Sequence, residues 1–132
     1  MNRKLEFLRR VLAELRPFSG SSLADVLAHH RQVERIFELL VTAAADLLQH
    51  VLSERGRTAS SYREAFALAG QLGLIGPELS TRLQGAAKMR NVIVHLYEEI
   101  NYQTLRDSID PALADFAALI AAFQGQLPTA DE

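Results

Sequence analysis

Apolar residues return at every third or fourth position along nearly the whole chain, and nowhere do they alternate at the period of two that a half-buried strand requires. Leu5, Leu8, Leu12 and Leu15 form one such stripe, which Pro17 should end, because proline lacks the backbone donor a helix interior needs. After the turn Ser19-Gly20-Ser21-Ser22, the pair Ser22 and Asp25 predicts a cap for a long second helix. Its seam is Val33, Phe37, Leu40, Ala44, Leu47 and Val51. Ser61 and Glu64 have the spacing of a capping box and open a third helix through Phe66, Ala69 and Leu72. Gly73 can leave that helix in the left-handed conformation, and Gly76-Pro77 restarts the chain with proline in the first turn.

A fourth helix is expected from about Pro77 to Ile100, with Leu79, Leu83, Ala86, Met89 or Arg90, Ile93 and Tyr97 along one stripe. The last apolar series is Leu105, Ile109, Leu113, Phe116, Ile120 and Phe123, and Asp110-Pro111 inside it reads as either a fresh cap and start or a kink. Together these segments predict an all-α fold, an antiparallel bundle of four to five helices forming a single domain over residues 1–132, with a poorly ordered tail after about residue 125.

Composition removes several functional classes. At 132 residues and 48% hydrophobic, the chain can build a core. Fourteen Lys+Arg face sixteen Asp+Glu, so nucleic acid cannot be held by bulk electrostatics, and phosphate contact must come from a local cluster. Cysteine is absent, which excludes a disulfide scaffold, a zinc ribbon, an iron–sulfur centre and a thiol nucleophile. No apolar run approaches the ~18 residues of a membrane span, and the opening Met1-Asn2-Arg3-Lys4-Leu5 does not read as a secretory signal, so a cytoplasmic protein without a membrane partner is expected. His29 and His30 are adjacent and would point about 100° apart on a helix, unable to chelate one ion together. Asp46 and His50 share a helical face that permits a carboxylate–imidazole contact, but two ligands do not make a metal site. No Gly-rich phosphate loop or nucleophile elbow is present, and neither metal nor other cofactor is expected.

The segment from Lys88 to Glu99 gathers polar chemistry instead. On one continuous helix, Arg90 and Tyr97 would share a face two turns apart, and Asn91 and His95 would share the neighbouring face. From Arg82 through Lys88 to Arg90 there is no acidic residue, so this stretch is locally positive and offers further phosphate or RNA contacts.

The order Arg90, four residues, His95, one residue, Tyr97 resembles the signature of the HEPN superfamily, and its setting is most similar to the HepT-like toxin branch. Arg31 to Val51 resembles that branch's long second helix, and Ser61 through Ile75 its short third helix and following loop, so about 70 residues between Arg31 and Leu105 carry the likeness. The resemblance implies a metal-independent endoribonuclease toxin of a type II or type VII-like toxin–antitoxin pair, in which the ribose 2′-hydroxyl attacks the adjacent phosphorus. Such chemistry needs groups that move protons near neutral pH, which suits His95, and a permanently charged fork for phosphoryl oxygens, which suits Arg90. Asn91 would orient His95 or donate to phosphate. Two proton-transfer roles and one such histidine per chain imply a homodimer sharing a cleft. The resemblance also implies a nucleotidyltransferase-fold antitoxin that neutralises the toxin by binding, by adenylylating Tyr97, or both. The alternative is a noncatalytic HEPN companion that binds nucleotide or substrate for a nucleotidyltransferase.

Overall fold

A computed structural model describes residues 2–124, and the expectation for the tail after about 125 lies outside the described residues. Among them are six helices and no strand: α1 (Asn2–Leu15), α2 (Leu23–Ala28), α3 (His30–Glu54), α4 (Tyr62–Gln71), α5 (Pro77–His95) and α6 (Tyr102–Gln124). Two single 3-10 turns, Arg16–Phe18 and Tyr97–Glu99, follow α1 and α5.

The local signals act largely as the sequence predicts. Pro17 falls in the 3-10 turn that closes α1. Ser22 and Asp25 form a reciprocal capping box, but it serves the short α2 and not a single long helix. The chain breaks at His29 (φ −125°, ψ 27°), and α3 starts afresh at His30. At α4 the Ser61 hydroxyl accepts from the Glu64 amide at 3.0 Å, while the Glu64 carboxylate accepts from the amide of Ser60, one residue earlier than a capping box would place it. Gly73 adopts φ +72°, the left-handed exit that a side chain would strain. Helix α6 runs through Pro111 without a new start. Asp110 is not a cap there; its carboxylate accepts from the Ser19 hydroxyl at 2.7 Å and the Gly20 amide at 3.3 Å, and Arg106 donates to the Ser21 carbonyl at 2.9 Å. The loop after α1 is thereby pinned to α6 on both sides of one helical turn.

Helix α3 is long and apolar enough on average over 18 residues to cross a membrane by length and composition alone, although Glu38 and Asp46 interrupt any continuous apolar run, and 61% of that window is buried inside the protein. It is the central element, packing against α1 on one flank and α4 and α5 on another. Phe37, Leu40, Leu47, Leu48 and Leu52 from α3 meet Leu5, Leu8, Leu12 and Leu15 from α1, Phe66 from α4, and Phe116 and Phe123 from α6 in one fully buried core. Each such side chain contributes about 1.5–3 kcal/mol relative to exposure.

The α4–α5 hairpin carries the segment from Lys88 to His95 that the sequence singles out. Five residues connect the two helices, so they run antiparallel and pack closely. Ser80 of α5 is 4% exposed and donates its hydroxyl to the Phe66 carbonyl of α4 at 2.8 Å. This approach is possible because residue 70 is glycine: a Cβ there would lie 2.5 Å from Ser80 Oγ and 2.6 Å from Ser80 Cβ. Gly70→Ala should therefore destabilise the fold by roughly 1–3 kcal/mol, an effect that the ~1 kcal/mol gain in helix propensity only partly offsets. Thermal unfolding followed by circular dichroism checks this, and a midpoint equal to or above wild type would mean that α4 and α5 are not wedged together at this point.

Candidate active site

Helix α5 ends at His95, five residues short of the sequence expectation, and Leu96 (φ −129°, ψ 42°) turns the chain out of it. Three features account for the early stop. Val92, Ile93 and Val94 are β-branched and weak helix formers. Glu98 and Glu99 would place two negative charges at a helix C-terminus, where the macrodipole opposes them. Asn101 accepts from the Thr104 amide at 3.1 Å and so caps the next helix, which requires an extended residue before it; Ile100 supplies that with ψ 121°. Tyr97 consequently sits on the 3-10 turn, not on the α5 stripe, and does not share a helical face with Arg90 as predicted.

Arg90 is half-buried between α5 and α4. Its guanidinium carbon lies 4.8 Å from the centroid of the Tyr62 ring, one Nη donates to Asn91 Oδ1 at 3.2 Å, and its Nε is buried with no hydrogen-bond partner. Among the described residues Arg9, Arg35, Arg82 and Arg106 each reach a carboxylate; Arg90 reaches none, and it differs from the other arginines without one, which are all exposed, in being half-buried with its Nε enclosed. A partly buried positive charge with an unsatisfied donor is costly unless an anion completes it.

Asn91 and His95 are both exposed. Successive helical residues turn about 100°, which sets Arg90 and His95 about 140° apart around α5 but Asn91 and His95 only about 40° apart. The Arg90–Asn91 hydrogen bond therefore draws the guanidinium towards the face that carries His95. The Asn91 side-chain oxygen accepts from Arg90, and no hydrogen bond joins Asn91 to His95 among the described residues. His95 has no side-chain hydrogen bond among the described residues.

The three tyrosines occupy different situations. Tyr62 opens α4 and lies under Arg90. Tyr102 donates to Glu34 at 2.8 Å and lies 3.3 Å from His30 Nδ1; burial, then the hydrogen bond and charge of Glu34, hold its hydroxyl above the ordinary phenol range, with Arg31 opposing. Tyr97 is 66% exposed, and Leu96 before it is 49% exposed, so the turn after His95 presents an apolar and aromatic surface.

The remaining predicted contacts lie elsewhere. Arg82 donates to Asp115 at 2.8 Å and Lys88 is exposed, and both line a groove of about 640 Å³ between α5 and α6 whose wall includes Met89, Val92 and Glu99 but not Arg90, Asn91 or His95. Arg82 is thus neutralised on the opposite flank from Arg90. His30 pairs with Glu34 at 2.8 Å and His29 packs edge-on against Phe18, so the two adjacent imidazoles are engaged with different neighbours. His50 pairs with Glu54 at 3.8 Å instead of Asp46. Among the described residues no three His, Asp or Glu side chains gather as a metal site would. Sequence reasoning missed Tyr62 as a member of the site. Its signal was the hairpin: stepping eight residues back from Gly70 and eight forward from Ser80 brings Tyr62 opposite Lys88, within a turn of Arg90.

A family model described as Ribonuclease HepT-like matches residues 5–123. The tRNA nuclease HepT of Aphanizomenon flos-aquae is 30% identical over 134 aligned positions, covering 98% of this chain and 90% of that protein. Among solved structures, a tri-AMPylated Shewanella oneidensis HEPN toxin in complex with MNT antitoxin matches with a TM-score of 0.83 at 23% identity, over 93% of this chain and 95% of the other. A toxin–antitoxin complex with AMP-PNP matches with a TM-score of 0.80 at 23% identity, over 91% and 94% of the two chains. The solved structures establish the shared bundle, while the family match and the relative extend the likeness to sequence along almost the whole chain: it belongs to the HepT-like ribonuclease family.

Proposed function

We propose that this protein is a metal-independent endoribonuclease toxin of a toxin–antitoxin pair, of the type II or type VII-like kind, acting in the cytoplasm. The observation that carries the reading is the state of Arg90, a half-buried cation with a free buried donor and no carboxylate partner, beside an exposed His95 in a HepT-like chain. Arg90 binds the scissile phosphate and the charge that builds on the phosphorane. Asn91 holds Arg90 and donates to a phosphoryl oxygen. The cyanobacterial relative is described as a tRNA nuclease, and tRNA is the substrate proposed here.

In the proposed reaction one imidazole removes the proton from the ribose 2′-hydroxyl as that oxygen bonds to phosphorus. A second protonates the 5′-oxygen as its bond to phosphorus breaks. The products are a 2′,3′-cyclic phosphate and a 5′-hydroxyl. One chain offers one such imidazole, so the second belongs to His95 of another copy across a two-fold cleft. Exposed Leu96 at the end of α5 lies on the surface that such a copy would cover.

Neutralisation by a nucleotidyltransferase-fold antitoxin, through binding, modification or both, completes the proposal. Tyr97 is the most exposed of the three tyrosines and so the one offered to such a partner, since the Tyr62 ring lies under Arg90 and the Tyr102 hydroxyl is engaged with Glu34. Its oxygen would attack the α-phosphorus of ATP, releasing pyrophosphate and leaving a negatively charged AMP at the mouth of the cleft, where it competes with RNA phosphate.

His95→Ala and Arg90→Ala should each lower tRNA cleavage by about 10²–10⁴-fold while leaving the helical spectrum unchanged, and cleavage should persist in excess EDTA. End-group analysis of cleaved tRNA checks the chemistry: activity lost on chelation, or a fully active His95→Ala protein, would sink the mechanism. Light scattering at micromolar concentration should report a dimer; an active protein that is only monomeric would refute the shared cleft. Incubation with the partner, ATP and magnesium should add AMP to Tyr97, read by peptide mass spectrometry, and Tyr97→Phe should still cleave RNA yet take up no label. Labelling mapped to Tyr62 or Tyr102 instead would displace Tyr97 as the modified residue.

A further inference from the structure

We infer that Tyr62 is a positioning residue for Arg90, an aromatic platform that fixes the guanidinium so that its free N–H edges meet a phosphate. What Arg90 holds rests on the ribonuclease reading above; that it is held rests on the geometry alone. The guanidinium carbon is 4.8 Å from the Tyr62 ring centroid, well inside the range of a cation–π contact. A long arginine side chain on an exposed surface samples many rotamers, and a fork that must meet two phosphoryl oxygens loses affinity with each of them. In this site two contacts restrict that freedom: the ring covers one side of the guanidinium, and Asn91 Oδ1 accepts from one Nη at 3.2 Å. A carboxylate in place of the ring would also restrain Arg90, but it would cancel the charge that phosphate needs. An aromatic face holds the cation and leaves its charge and its buried Nε–H unspent.

The platform is itself built into the fold. Tyr62 is the first residue of α4, directly after the Ser61 cap, and the Gly70–Ser80 contact sets how closely α4 lies on α5. The Tyr62 hydroxyl has no hydrogen bond among the described residues, so the ring and not the hydroxyl is the working part.

Two substitutions test this. Tyr62→Phe keeps the ring, and Tyr62→Leu keeps the apolar bulk without it. Binding is measured by fluorescence anisotropy with a 2′-O-methyl RNA oligonucleotide, which lacks the attacking hydroxyl. Tyr62→Leu should weaken binding by about 10-fold, Tyr62→Phe by less than about 2-fold, and Tyr62→Leu should cost nothing further in an Arg90→Ala background. The Arg90 Nε–H resonance should carry an upfield ring-current shift that Tyr62→Phe retains and Tyr62→Leu abolishes, a reading that needs no RNA. Equal binding by Tyr62→Leu, equal loss in both variants, or an additive loss in the Arg90→Ala background would overturn the platform. A normal ring-current shift in a wild-type protein that neither binds nor cuts RNA would instead remove the ribonuclease reading, and with it the phosphate-holding role, while leaving the stacking in place.

Discussion

The approach of α4 to α5 governs the end of this bundle that carries the candidate active site. Gly70 allows Ser80 to enter, Ser80 bonds to the Phe66 carbonyl, and the two helices then lie close enough for the first residue of α4 to reach the last turns of α5. Tyr62 lies under Arg90 only because that spacing holds along the hairpin. The opposite flank of α5 is set by a different contact, the Arg82–Asp115 pair to α6 at 2.8 Å. One helix therefore separates a cation that has been neutralised from one that has been left charged, eight residues apart.

That difference is the chemical content of the site. Surface arginines that meet carboxylates gain little stability and lose their capacity to bind an anion. Arg90 has desolvation on one side, an aromatic ring below and an amide oxygen at its tip, none of which neutralises it. On the proposed function this incompletely satisfied cation is where a phosphate binds, in keeping with local frustration concentrating where function needs it.

Much of this was legible in the sequence because it is periodic. The buried faces of α1, α3 and α6 are the stripes read from Leu5, Val33 and Leu105 onward, since helical burial follows directly from a repeat of three or four. The failures share one origin, namely competition between neighbouring local signals. The Ser22 cap suggested one helix where His29 divides two, and the apolar stripe through Ile93 suggested continuation to Ile100 where two glutamates and the Asn101 cap end α5 at His95. Arg90, Asn91 and His95 stand out in the sequence as polar residues on one stretch of helix, but the Arg90–Asn91 bond does not, because it joins neighbours and not residues one turn apart. Tyr62 belongs to a pairing between helices that no spacing within one helix encodes.

The break at Leu96 has a consequence for how the protein can vary. Tyr97, Glu98 and Glu99 lie on a single exposed turn, anchored at one end by α5 and at the other by the Asn101 cap, and none of the three is buried. Substituting them removes no core contact, so the chemistry presented on this turn can drift without a stability cost, whereas Tyr62, Gly70 and Arg90 are tied to the bundle through one another. The turn is thus a part whose side chains can be exchanged while the scaffold beneath it stays the same.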